Sequence, residues 1–183
     1  VIVDDGMGHS HQEEFTLSVT RRNPVIRGGD GDDTLTGTAE ADVIRTGGGN
    51  DLLLSLGGGD RLEGGKGRDR LEGGQGDDTL VGGKGRDRLA GGEGRDTFVF
   101  DKLSDSGVTV ATRDVIEGFG GGDRIDLSAI DARRGPGNQA FHLDRNDSFS
   151  AGEIGVRDTR AGLVVEVNAD NDARAEMSFL LKG

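Results

Sequence analysis

The stretch Gly64–Val99 reads GGKGRDRLE GGQGDDTLV GGKGRDRLA GGEGRDTFV when broken into nines. Each nine is G-G-x-G-x-D-x-U-x, with U a large apolar residue. The same frame extends back to Gly28, so Gly28 to Val99 holds 72 residues, or eight nines. Gly28–Thr36 is a perfect copy. Thr46–Leu54 loses only its first glycine. Ser55–Glu63 has Ser55-Leu56-Gly57 at the start but keeps Gly58 and Asp60. Gly37–Arg45 is poor, with Thr38 and Glu40 in place of glycines, yet it keeps Asp42 and Ile44. A glycine-rich linker would be the plain alternative. A linker would not hold aspartate at the sixth place and an aliphatic or Phe at the eighth in every copy.

The residue types carry the chemistry. The first six places must turn tightly and bring backbone carbonyls inward, which needs φ values that glycine tolerates. The sixth place adds a carboxylate. Carbonyl and carboxylate oxygens together suit a hard cation such as Ca²⁺, which takes six to eight oxygens at roughly 2.3–2.6 Å. The last three places form a short strand whose U residue points into a thin core: Leu35, Ile44, Leu53, Leu62, Leu71, Leu80, Leu89 and Phe98.

This repeat resembles the calcium-binding nonapeptide of RTX proteins, which stack as a parallel β-roll. The resemblance implies that nine residues make half a coil, so alternate repeats stack on one edge of a right-handed roll. One column would then hold Asp33, Asp51, Asp69 and Asp87, the other Asp42, Asp60, Asp78 and Asp96. The expected carbonyl ligands are those of Gly29, Gly31, Gly47, Gly49, Gly58, Gly65, Gly67, Gly74, Gly76, Gly83, Gly85, Gly92 and Gly94. Three gaps per column, less the one beside the poor second repeat, give about five Ca²⁺ ions, or six with one at the C-terminal end. Asp42 is a lesser candidate because its repeat is degenerate. Asp123 is another, because Gly121-Gly122-Asp123-Arg124-Ile125 mimics places four to eight of one more repeat. Carboxylates stacked roughly 4.8 Å apart repel one another without a cation, so folding coupled to calcium is expected.

Past the repeats, DTFVF, DVIEGFGGGDRIDLSAID, FHLDRNDSFSAGEIGV and VNADNDARAEMSFLLKG follow in an order that resembles the C-terminal domain of serralysin-type secreted metalloproteases. The matching residues include Asp114, Ile116, Phe119, Asp123, Ile125, Asp126, Phe141, Phe149 and Glu153. The resemblance implies an antiparallel, β-sandwich-like cap on the roll, type I secretion machinery as a partner and an extracellular location. The sequence departs from it at Gly118, Ala173, Glu176 and Met177, so the loop NADNDA reads as a surface turn. That loop also lacks the glycine and the final glutamate of an EF-hand.

The chain therefore divides into residues 1–27, 28–99 and 100–183, all of them β-rich. In the first zone, VIVDDGMG and Phe15–Thr20 read as strands, and together they resemble the closing hairpin of cadherin-like or Ig-like repeats. The start at Val1 reads as a fragment or a processed product.

Composition limits the functions. The net charge is −12, which disfavours nucleic acid and favours cations. There is no cysteine, Trp or Tyr. No apolar run reaches the length of a membrane span, and no signal peptide opens the chain. No HExxH or GxSxG motif is present, and His9-Ser10-His11 lacks zinc-helix spacing. No active site is expected in this chain. One further feature is the pair of KGRDR copies, which put Lys66, Arg68, Lys84 and Arg86 on one edge. Like charges at strand spacing are mildly destabilising. They read either as solvated charge beside acidic neighbours or as a surface for an acidic polysaccharide. The repeat modules of alginate epimerases, which are similar, imply the second.

Overall fold

The computed structural model describes residues 2–4, 10–12, 25–130, 140–143, 150–170, 172 and 174–183. After a short antiparallel pair, β1 (Ile2–Asp4) and β2 (Ser10–Gln12), the roll begins at β3 (Val25–Arg27). The strand expected at Phe15–Thr20 lies outside the described residues, as do Phe149 and residue 173.

Eight strands then follow at nine-residue spacing: β4 (Thr34–Thr36), β5 (Val43–Arg45), β6 (Leu52–Leu54), β7 (Arg61–Gly67), β8 (Arg70–Gln75), β9 (Thr79–Gly85), β10 (Arg88–Glu93) and β11 (Thr97–Val99). They alternate between two parallel sheets, β4-β6-β8-β10 and β3-β5-β7-β9-β11, which makes about four turns of solenoid. Each strand pairs with the one two repeats away, so the eighth-place residues form two ladders. Leu35, Leu53, Leu71 and Leu89 stack in one, and Ile44, Leu62, Leu80 and Phe98 in the other. All of these except Leu35 are fully buried. With one inward residue per nine, this core is a single file of side chains from each sheet. Its apolar burial is correspondingly small, so the turns must contribute order as well.

The C-terminal region continues the roll's own sheets and does not stand apart as a separate layer pair. The strand β12 (Asp114–Glu117) pairs parallel with β10 and sets Ile116 beside Leu89; β13 (Arg124–Asp126) does the same for β11 and sets Ile125 beside Phe98. From β12 one sheet runs on through β17 (Met177–Lys182), β16 (Gly162–Asn168), β15 (Glu153–Thr159) and β14 (His142–Leu143). The pairs β15–β16 and β16–β17 are antiparallel, as the cap was expected to be. Phe100 stacks on Phe179 with ring centroids 4.9 Å apart, which ties the last turn of the roll to the final strand. That single pair unites two segments far apart in sequence and buries both rings.

Candidate metal-binding ladder

Where the chain leaves a strand it turns: the glycine at place four takes positive φ in every repeat that has one, and from Gly65 on so does the glycine at place two. Gly67, with φ +138°, shows why no other residue serves there. A Cβ on it would overlap the carbonyl oxygen of Gly49, one turn below. The first place is equally closed: a Cβ on Gly82 would stand 2.5 Å from Asp87 Oδ2. The one departure among these turns is Leu56, which holds φ +73° although it is not glycine. Its carbonyl thus keeps the orientation of its glycine counterparts, and it lines up under Gly74. Sequence reading passed over Leu56 because its residue type hides its backbone conformation.

The two expected aspartate columns are both present. On one edge the backbone N–H of Asp33 donates to Asp51 Oδ1 at 2.8 Å, that of Asp51 to Asp69 at 2.9 Å, and that of Asp69 to Asp87 at 2.9 Å. On the other, Asp42 donates to Asp60 at 2.7 Å, Asp60 to Asp78 at 2.8 Å and Asp78 to Asp96 at 3.0 Å. One carboxylate oxygen of each of Asp51, Asp60, Asp69, Asp78, Asp87 and Asp96 is thereby used to register the turns. The other oxygen is the notable one. Oδ2 of Asp51, Asp60, Asp69, Asp78, Asp87 and Asp96 is buried without a hydrogen-bond donor. A buried, unpartnered carboxylate oxygen is costly, and six in two files point to a cation as the missing partner.

The degenerate second repeat fits the same logic. Thr38 gives its N–H to Asp42 Oδ2 at 2.6 Å and its hydroxyl to the same oxygen at 3.0 Å. A protein donor thus sits on the oxygen that is bare elsewhere, and it is Asp42 Oδ1 that is buried without a donor. At the open end Asp33 Oδ2 likewise accepts from Gly29 N–H at 2.8 Å. Several of the expected carbonyls also serve the backbone ladder: Gly47 O accepts from Lys66 N–H at 2.9 Å, and Gly67 O from Arg86 N–H at 3.3 Å. Each carbonyl has two lone pairs, so this does not remove them as ligands.

Both columns extend past the repeats. Asp96 N–H donates to Asp123 Oδ1 at 2.9 Å, which places Asp123 as the next rung of its column. Asp87 N–H donates to Asp114 Oδ1 at 2.8 Å, and Asp114 Oδ2 is buried and bare like the others. Asp114 was not among the expected ligands. The signal was arithmetic: both extensions skip 27 residues, three nines, from Asp87 and Asp96. The skipped chain includes a short 3-10 turn, Leu103–Asp105, and a bridge from Ser106 to Gly85. This brings buried Asp105 near enough to Asp87 and Asp114 to act on both charges.

The electrostatics follow from the packing. Burial, reinforced by neighbouring carboxylates, pushes the Asp69 carboxyl up to about 6, Asp78 and Asp87 to about 7, and Asp114 to about 9. Asp60 and Asp96 shift upward for the same reason. Without a cation Asp114 resists ionising at neutral pH, and Asp78 and Asp87 do so in part.

Elsewhere among the described residues, Asp170, Asp172 and Glu176 bring ligand oxygens within 4.8 Å of one another in the loop after β16. Backbone N–H groups of Ala169, Asp172 and Arg174 donate to one oxygen each of Glu176, Asp170 and Asp172. The two KGRDR copies do fall in register, Lys66 beside Lys84 and Arg70 beside Arg88. Arg70 pairs with Glu72 at 2.6 Å and Arg88 with Glu117 at 2.5 Å, whereas Lys66, Arg68, Lys84 and Arg86 have no ion pair among the described residues.

The family model of the RTX calcium-binding nonapeptide repeat (4 copies) matches residues 27–62, 55–89 and 63–98. Two solved structures are similar over most of the chain, both subunits of a mannuronan C5-epimerase from Azotobacter vinelandii. The AlgE6R3 subunit is 30% identical, with 85% of this chain and 73% of that one covered and a TM-score of 0.54. The AlgE6R2 subunit is also 30% identical, covering 87% and 84%, again with a TM-score of 0.54. No curated protein matches the chain. No helix among the described residues is long and apolar enough to cross a membrane, which leaves β-barrel spans unaddressed.

Proposed function

Since the chain belongs to the RTX calcium-binding nonapeptide-repeat family, we propose that its two aspartate columns are the calcium ligands and that the roll orders as they are filled. The observation that carries this reading is the set of bare, buried Oδ2 atoms. Asp51, Asp60, Asp69, Asp78, Asp87 and Asp96 supply the carboxylates, and the glycine carbonyls of the intervening turns supply the rest. Asp114 with Asp105 closes one column, and Asp123 closes the other. Asp42 contributes least, because Thr38 already occupies its Oδ2 and only Oδ1 is left to it.

Coupling of this kind sets where the protein folds. Extracellular calcium modules bind with dissociation constants of about 10⁻⁴–10⁻³ M, well above resting cytosolic calcium. Ions that bind only the folded form stabilise it by mass action, so the chain stays unfolded inside the cell and orders outside. That suits passage through a type I secretion channel and a structural role for the roll in a secreted parent protein, with any catalysis residing elsewhere. Native mass spectrometry tests the ligand set: wild type should retain about seven calcium ions by the gap count, about five within the repeats and one at each extended column end. Asp114→Ala and Asp123→Ala should each lose one ion while keeping the rest. An unchanged count in both variants would remove them from the ladder.

A second reading has its own support. The similar solved structures are subunits of a mannuronan epimerase, and one edge of this roll carries cations without ion pairs. On this reading the module also holds an acidic polysaccharide or a cell surface.

A further inference from the structure

Arg113 is a charge without a counter-charge. It is 8% exposed. Its Nη2 donates to Val108 O at 2.8 Å, its Nε has no partner, and no carboxylate pairs with it among the described residues. Burying a guanidinium this way is unfavourable unless an anion completes the site. Arg113 lines a cavity of about 210 Å³ together with Arg86 and Arg157, whose walls include Val115, Val164 and Leu180. Arg157 is engaged with Glu166 at 3.0 Å, which leaves Arg86 and Arg113 to receive a ligand. A second cavity, about 250 Å³, adjoins through the shared Arg86 and Val115; Asp69 lines its ladder side, Arg88 and Lys182 there are drawn to Glu117, and Arg68 is the cation it adds without an ion pair among the described residues.

We infer that this double cavity, where the roll's edge meets β12 and β17, binds consecutive uronate residues of an acidic polysaccharide. The inference rests on the second reading above and moves its site. The arginine forks take carboxylates in bidentate fashion, and the valine and leucine walls take the C–H face of a sugar ring. Two adjoining compartments joined at Arg86 suit a linear polymer with one carboxylate per unit. A membrane presents a plane, and these compartments are recessed. Lys66 and Lys84, the most obvious cations in the sequence, line neither cavity.

The test is titration with an oligomannuronate by calorimetry, every variant held in saturating calcium and checked for folding by circular dichroism. Wild type should bind, and neutral mannan should not. Arg86→Ala, at a half-buried position between β9 and β10, and Arg113→Lys, which keeps the charge but loses the fork, should each weaken binding roughly tenfold or more. A Lys66→Ala/Lys84→Ala variant should stay within about twofold of wild type. If wild type does not bind, the polysaccharide reading fails and this site with it. Loss in the lysine variant but not in Arg86→Ala would keep that reading and overturn this site. So would equal binding by all variants, which would mean calcium alone bridges the sugar. Arginine-dependent binding to phosphatidylglycerol vesicles without oligomannuronate binding would assign the cavity to lipid and overturn the inference.

Discussion

Asp87→Asn should shift the calcium-free and calcium-loaded protein in opposite directions. Asp87 is fully buried, its Oδ1 accepts from Asp69 N–H, and its Oδ2 has no donor. Burial first, then the charges of Asp69 and Asp105, raise its carboxyl to about 7. An asparagine keeps the oxygen that registers the turn and removes the charge that burial penalises. A rise from 3.8 to about 7 corresponds to about 4 kcal/mol at pH above both values. In chelator at pH 8 the variant should therefore resist urea better than wild type, by up to that order. With calcium the same change removes a carboxylate from the ladder and leaves an amide N–H₂ where the cation needs oxygen. The calcium midpoint should then rise and the thermal midpoint in millimolar calcium should fall. Destabilisation under both conditions would mean that Asp87 is a structural hydrogen-bond acceptor and no more.

The second large effect concerns pH. Each raised aspartate has a folded-state pKa above its unfolded one, so the folded chain binds the proton more tightly. Its contribution is fully present below the unfolded value near 4 and is lost as pH climbs through the folded value. The loss starts at about pH 4 and is complete at the folded value, about 6 for Asp69, about 7 for Asp78 and Asp87 and about 9 for Asp114. Domains typically have only about 5–15 kcal/mol of stability in all, so four such losses weigh heavily. In chelator the roll should be more ordered at pH 5.5 than at pH 8.5, read by the urea midpoint of its circular dichroism signal. With calcium the order reverses, because the ligands must be deprotonated to bind. Equal urea midpoints at both pH values in chelator would show that the carboxylates do not oppose folding.

The roll was legible because its period is strict. Nine-residue spacing of Leu71, Leu80, Leu89 and Phe98 marks the strands and their inward residues, the RTX resemblance implies that alternate repeats stack, and the structure bears out both. The aspartate columns were legible from that period together with the half-coil stacking the resemblance implies. Asp114 was hidden because 26 residues separate it from Asp87 in a register that only three nines reveal. Asp105 was hidden more deeply: it comes from a 3-10 turn with no repeat pattern, and only tertiary packing brings it to the ladder. The continuation of one sheet from β10 through β12 to β17 was also out of reach. Parallel pairing of Asp114 with Phe179 joins segments with no local signal between them. Arg113 shows the converse limit. Among 22 Lys and Arg residues, nothing in its sequence neighbourhood marks it as buried.

The central claim is that calcium is the ordering agent for residues 28–99, and backbone hydrogen exchange tests it most directly. Peptides spanning β6 to β11 should be strongly protected in millimolar calcium at pH 8 and should exchange within the dead time in chelator. Protection should appear along both columns over one cooperative calcium transition. Equal protection of these peptides with and without calcium would contradict the account, because the bare carboxylates would then be tolerated by the fold unaided.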